Sequence, residues 1–288
     1  MSGNYLDLAR THAPLLLIAA PLIGAALVLV SGTARVGWIL ASVVGGVTAF
    51  MALDFASGVF SGAMTNFAVV APTLYVDGVG AFAAALIALT VALIAFAVGA
   101  SLKDAGAKQA PVSLALLLAS AAGWIGALMA RDLVAMIAAV EAAWLACVGL
   151  VLVNAVRDRE PLNGALRMLS IGGVGAALML VGAAMLGRGA GSFELDALPL
   201  ASIRMTDLAG AGAALMILGL AVKAGVAPLH AWSAAAIGRA NAMVTLGVGV
   251  LGVVGALCVL ARFSAYVITS PYIGAAISGG AWRRLGAD

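Results

Sequence analysis

The sequence predicts an all-α membrane protein, a polytopic bundle of eight or nine transmembrane helices whose seventh helix is broken. Composition is the first reason: 64% of the 288 residues are hydrophobic and 9% are charged, against about 25% charged in a soluble domain. The second is the recurrence, along nearly the whole chain, of apolar runs long enough to cross about 30 Å of hydrocarbon. The third is Gly225 and Pro228, which interrupt one of those runs. A mean hydropathy of +1.16 excludes a water-soluble globule, a disordered chain, a collagen and a disulfide scaffold.

Taken in order, the runs place spans near 14–30, 36–53, 79–98, 112–130, 133–153, 169–186, 208–229 and 242–261. A ninth candidate, 266–281, is short and carries Pro271. The first span is read as a retained anchor. Residues 1–13 hold Asp7, Arg10 and His12, and no small-residue cleavage site precedes the run. Cys147 and Cys258 lie inside separate apolar runs and read as small buried hydrophobes, not a redox site.

Arginines and lysines on alternate loops set the orientation. One side carries Arg10, Arg131, Arg188, Arg204 and Arg262; the other carries Arg35, Lys103, Lys108, Arg157, Arg159, Arg167, Arg239, Arg283 and Arg284. The richer side is expected to be cytoplasmic, which puts the N-terminus and the segments 55–77 and 187–207 outside. The net charge of +3 is therefore topological and gives no reason to expect nucleic acid. Residues 157–167 read as a short amphipathic helix on the cytoplasmic surface, a solvated connector or a docking element. The 36 glycines favour close helix contacts. Gly172, Gly173 and Gly175 form one such patch and Gly247, Gly249 and Gly252 another; the latter has no preceding strand and is not a dinucleotide loop.

Two ionisable residues remain deep within spans, Glu141 and Lys223. Each costs at least about 2.5 to 3.5 kcal/mol to insert at mid-membrane, so such residues face water, pair with one another or carry ions. An ion pair that merely fastens the fifth span to the seventh is the structural alternative. Lys223 sits in VKAGVAPLHAW. Pro228 offers no N–H to the carbonyl of Ala224, so the broken helix should leave an acceptor beside the lysine, tolerable only where protein or water replaces the bond. His230 would share the face of Lys223 if the helix continued, and neutral imidazole can pass a proton. The chemistry of this set is proton movement by paired titration. No positioned nucleophile, metal spacing or phosphate loop appears elsewhere, so no cofactor, metal or catalytic residue is expected.

At this point the chain resembles the antiporter-like, proton-conducting subunits of respiratory complex I, multisubunit cation/proton antiporters and energy-converting hydrogenases. TLYVDGVGAF (73–82) looks like the family's Y-x-V-D-G signature, and 123–153 looks like its fourth and fifth spans with Glu141 at the family's glutamate. GGVGAALMLVGAAML (172–186) is similar to the sixth span, and AVKAGVAPLHAW (221–232) to K-x-x-x-x-P-x-H-x-W, which aligns Lys223 and His230 with the family's lysine and histidine. The resemblance implies inverted five-helix repeats, each a half-channel.

Three departures accompany it. SAAAIGRANAMV (233–244) replaces a proline-rich stretch, Val253 stands where the eighth span has a Lys or His, and the second repeat is absent from a chain ending at Asp288. The expected organisation is a single membrane domain: N-terminal spans over 1–98, one half-channel repeat over 112–262, and a partial ninth span and tail over 263–288. The expected function is a short antiporter-like subunit of a hetero-oligomeric complex in the bacterial cytoplasmic membrane, contributing a proton or Na⁺ half-channel through Glu141, Lys223 and His230. The alternative is a non-conducting subunit that anchors or spaces such a complex, itself non-catalytic within a possible proton-translocating oxidoreductase.

Overall fold

The computed structural model describes residues 12–61, 74–99, 109–155, 159–195, 197–198, 208–238 and 240–267. They form nine helices: α1 Ala13–Ser31, α2 Ala34–Phe60, α3 Gly78–Ala97, α4 Gln109–Met129, α5 Leu133–Asn154, α6 Arg159–Ala190, α7 Leu208–Ala224, α8 Ala231–Ile237 and α9 Ala242–Val267. Seven are long and apolar enough to cross a membrane. The seventh predicted crossing, 208–229, is realised as the 17-residue α7, a turn and the short α8. At about 25 Å, α7 alone is shorter than the hydrocarbon layer. The chain is thus a multi-pass all-α membrane protein, with large apolar side chains such as Val30, Phe50 and Phe96 exposed on its outer surface as a lipid-facing protein requires.

Local signals explain several helix ends. Asp77, Asp132 and Asn241 are N-caps whose side chains accept from Gly80 N (2.6 Å), Ala135 N (2.8 Å) and Val244 N (3.0 Å). Gly32, at φ 63°, closes α1. Short antiparallel bridges, Leu74 to Ala130 and Asp132 to Glu194, tie together the start of α3, the α4–α5 turn and the chain just beyond α6. This end of the bundle is called the bridged face below. At the other end Asn241 donates to Asn154 Oδ1 (2.8 Å), and Asn154 donates to Ser113 Oγ (3.0 Å).

Several expectations need correction. The amphipathic segment 157–167 is not a separate surface helix: from Arg159 onward it is the first part of α6, because no breaker follows Arg167. Gly164 lets these turns lie on α8, where a Cβ would come within 2.5 Å of the Ala235 carbonyl. Residues 55–60 belong to α2 rather than to an outer loop, and Phe55 is buried. The eighth run continues past 261 to Val267, so Tyr266 and Val267 end α9 instead of opening a ninth helix. The remainder of 266–281, the tail, residues 1–11, 62–73 and 199–207, and Arg157 and Arg239 lie outside the described residues.

Glycine packing takes a different pattern from the expected patch. Gly173 has nothing within 4 Å, whereas Gly175 and Gly182 bring α6 against Gly219 and Gly212 of α7. A Cβ at Gly182 would lie 2.7 Å from the Gly212 carbonyl, and one at Gly189 would lie 2.7 Å from Ala209 N. This seven-residue spacing keeps one face of α6 in backbone contact with α7, which fixes the helix that carries Lys223. Gly247, Gly249 and Gly252 fall in a π-helical stretch of α9, Thr245–Gly252, confirming that they form no nucleotide loop.

Candidate functional site: a buried ion pair beside a helix break

Helix α7 ends one residue after Lys223, and the cause is Gly225. At φ 65° it takes the left-handed conformation that glycine tolerates. Val226 N donates to Ala221 O (3.1 Å) and Gly225 N to Val222 O (3.2 Å), the paired bonds of a Schellman ending. The break therefore precedes Pro228, which corrects the expectation that the proline opens the helix by depriving the Ala224 carbonyl. Its consequence for Lys223 is electrostatic. The ammonium sits in the last turn, at the negative end of the helix, where a cation is favoured.

Lys223 is fully buried and reaches Glu141 on α5. Nζ lies 2.9 Å from Oε2, which accepts its hydrogen bond, and 2.8 Å from Oε1, which is close enough for attraction but off the hydrogen-bond direction. Oε1 is buried and, among the described residues, accepts from no other side chain or backbone group. The Glu141 side chain as a whole is 27% exposed, so the pair is sealed on the lysine side and open on the glutamate side.

Two tryptophans frame the ammonium. The Trp144 ring centroid lies 4.7 Å from Nζ, a cation–π contact. Trp144 Nε1 donates to Met168 O (3.2 Å), and the indole occupies the space that a side chain at Gly172 would take. Trp232, in α8, meets Trp144 edge-on at 4.9 Å and donates from Nε1 to Val222 O (3.0 Å). The carbonyl next to Lys223 is thus held across the helix break by α8. The Cys147 thiol is buried near the ammonium, with Ser120 and Trp124 of α4 beside it.

The residues singled out from the sequence fall in two groups. Glu141, Lys223 and Gly225 converge. His230 does not join them: it precedes α8, is exposed, and accepts through its backbone carbonyl from Ser233 N (2.9 Å) and Ser233 Oγ (2.8 Å). Pro228, also exposed, lies in the turn between the two helices.

A second charged cluster was missed. Arg262, counted from the sequence as an outer-loop residue, is fully buried inside α9. Its Nε donates to Asp77 Oδ2 (2.7 Å), NH1 to Ala127 O (3.2 Å) and Ala130 O (3.0 Å), and NH2 to Tyr75 O (3.1 Å). Tyr266 Oη donates to the same Asp77 Oδ2 (2.7 Å). Gly80 makes room for this, since a Cβ there would lie 3.2 Å from Arg262 Nε and 2.5 Å from Leu128 O. The available signal was Asp77 within the Y-x-V-D-G string, an acid at a helix start with no partner in sequence.

The fold and site define the class as a polytopic helical membrane protein with a buried acid–base pair and a helix broken beside the base. The family model described as "NADH:quinone oxidoreductase/Mrp antiporter, TM" matches residues 130–278, more than half of the chain, and the protein belongs to that family. The fold is similar to chains of three solved assemblies. For the Mrp complex from Dietzia sp. DQ12-45-1b the TM-score is 0.75 at 23% identity, covering 90% of this chain and 49% of that one. For the membrane-bound sulfane sulfur reductase, an archaeal respiratory membrane complex, it is 0.72 at 24%, covering 88% and 53%. For respiratory complex I from Thermus thermophilus with bound aureothin it is 0.69 at 21%, covering 85% and 52%. The chain spans about half the length of these relatives. A search of curated proteins finds no match to the sequence.

Proposed function

We propose that the protein is an antiporter-like subunit of a multisubunit bacterial membrane complex, contributing a proton or Na⁺ half-channel whose central exchange site is the Glu141–Lys223 pair, coupled to redox chemistry or ion exchange in partner subunits. The observation that carries this reading is the asymmetry of the pair. A purely structural salt bridge at membrane depth would saturate both carboxylate oxygens, because each unsatisfied lone pair there costs free energy. Here Oε1 meets no second donor among the described residues beyond the ammonium 2.8 Å away, and the side chain is partly exposed. When the ammonium swings away or gives up its proton, the carboxylate left in a poorly solvated site takes one up; when the ammonium returns, the proton is released. Trp144 and the α7 C-terminus hold the charged lysine in place between such events.

The N-terminus lies outside in this reading, which leaves the bridged face outward and the Asn154–Asn241 end towards the cytoplasm, following the arginine and lysine asymmetry. His230, exposed between α7 and α8, would serve as an entry relay rather than a member of the central pair. The half-channel corresponds to residues 112–262.

One observation favours a second reading, in which the subunit spaces or anchors the complex without conducting. From Ala242 to Ala261, α9 carries no ionisable side chain apart from the Cys258 thiol, and Val253 stands in the relay position. The discriminating experiment is E141Q in the assembled complex. Conduction predicts loss of turnover-coupled proton or Na⁺ transport with assembly intact; unchanged transport assigns the chain to the spacer.

A further inference from the structure

Helices α4 and α9 face one another along a seam that starts at the ion pair and ends at the bridged face. From α4 it receives Ser120, Trp124 and the carbonyls of Ala127 and Ala130, at helical spacing along one side. From α9 it receives Gly252, Gly255, Val259 and Arg262, all buried. The two glycines leave this wall bare: a Cβ at Gly252 would lie 3.4 Å from Cys147 Sγ, and one at Gly255 would lie 2.5 Å from Trp124 Cγ.

Polar atoms follow one another through the seam. Next to Lys223 comes the Cys147 thiol, and beside the thiol are the Ser120 hydroxyl and Trp124. Trp124 is fully buried, and among the described residues its Nε1 meets no acceptor in hydrogen-bond geometry, the Cys147 sulfur lying beside it. A buried N–H left without an acceptor is rare and points to an ordered water, which the thiol, the hydroxyl and the indole N–H can hold with three polar contacts. About one turn beyond Trp124, the guanidinium of Arg262 binds the Ala127 carbonyl and closes the file.

We propose that the α4–α9 seam is a hydrated branch leading from the Glu141–Lys223 pair towards the bridged face, and that Arg262, fixed by Asp77, is the cationic plug that shuts it to protons. A positive charge with four of its five N–H donors occupied repels a proton arriving along the file and offers it no acceptor. Asp77 and Tyr266 are the titratable groups facing the guanidinium, with Tyr75 contributing its carbonyl. The carboxylate holds Arg262 in register while its oxygens stay engaged by Arg262, Tyr266 and Gly80 N. The branch makes the access of the central pair one-sided, and in that respect it rests on the exchange role proposed above.

The test is passive proton leak, read with an internal pH dye in liposomes that contain the whole assembled complex, with no redox or ion-exchange turnover. The charge-neutral pair R262Q/D77N is expected to raise the leak on the order of tenfold or more, since one unit of charge a few ångströms from a proton path shifts its barrier by at least the equivalent of a decade. W124F added to that pair is expected to lower the leak again. R262K, which keeps the charge, is expected to stay tight. R262H is expected to be tight at acid pH and to leak as the imidazole loses its charge, between about pH 5 and 8. R262H settles the case if the neutral pair does not assemble. A neutral pair that assembles without leaking overturns the proposal, as does R262K leaking as much as the neutral pair or an R262H leak indifferent to pH. Failure of E141Q to stop coupled transport leaves these outcomes unaffected, because the leak is measured without turnover.

Discussion

The two buried ion pairs, Glu141–Lys223 and Asp77–Arg262, use the same elementary attraction in opposite ways. Arg262 is bound by one carboxylate and three backbone carbonyls contributed by the segment before α3 and the end of α4, and Asp77 is shared among Arg262, Tyr266 and the α3 N-terminus. Lys223 has one carboxylate, one aromatic face and a helix end, and among the described residues the Oε1 of its partner meets no donor other than the ammonium itself. A planar guanidinium presents five donors in a fixed fork and can saturate a site, whereas an ammonium on a flexible stem can leave and return. The residue types thus suit a clamp at Arg262 and, in the proposed function, an exchanger at Lys223.

Breaking the clamp should have the largest effect on stability. R262A is expected to cost about 3–5 kcal/mol, because it leaves the part-buried Asp77 without its cation and three backbone carbonyls without their donor, and to lower the thermal unfolding temperature of the complex or prevent assembly. K223A should be milder in that measurement, since Glu141 retains partial exposure, yet it should abolish coupled transport. Loss of assembly in K223A, to the degree seen for R262A, would show that the two pairs are not different in kind.

Smaller changes sharpen the contrast. Y266F removes one hydrogen bond to an ionised carboxylate and is expected to cost about 1.5–3 kcal/mol in the same unfolding measurement, with transport retained. G225A forces a side chain into the left-handed region at a cost of about 1–2 kcal/mol. Because that residue ends the helix beside Lys223, transport should fall more than stability does. H230A is expected to leave the unfolding temperature unchanged, since the side chain is exposed. A reduced transport rate with intact assembly would support its entry role.

Much of this was legible without coordinates, for a reason specific to membranes. Charge is so costly in hydrocarbon that Glu141 and Lys223 stand out against their neighbours, and the apolar runs announce the helices that contain them. Arg262 was misassigned because the apolar run fades near Ala261 while α9 continues to Val267. What rescues that charge, Asp77, is 185 residues away in sequence. Gly225 and Pro228 both mark the break after Lys223 in the sequence; Gly225 acts first because its φ of 65° lets the chain turn while the Ala221 and Val222 carbonyls still find donors. The amphipathic start of α6 looked like a surface segment until α8 appeared to cover Gly164.

Composition and spacing by themselves determined the class, the number of apolar segments and the two charges set within apolar helices, because insertion free energy depends chiefly on residue type and run length. Only the tertiary structure decided which carboxylate meets which cation, which glycines carry backbone contact and which oxygen is left without a second donor. Those outcomes depend on distances between helices that are remote in the chain, and no local preference encodes them.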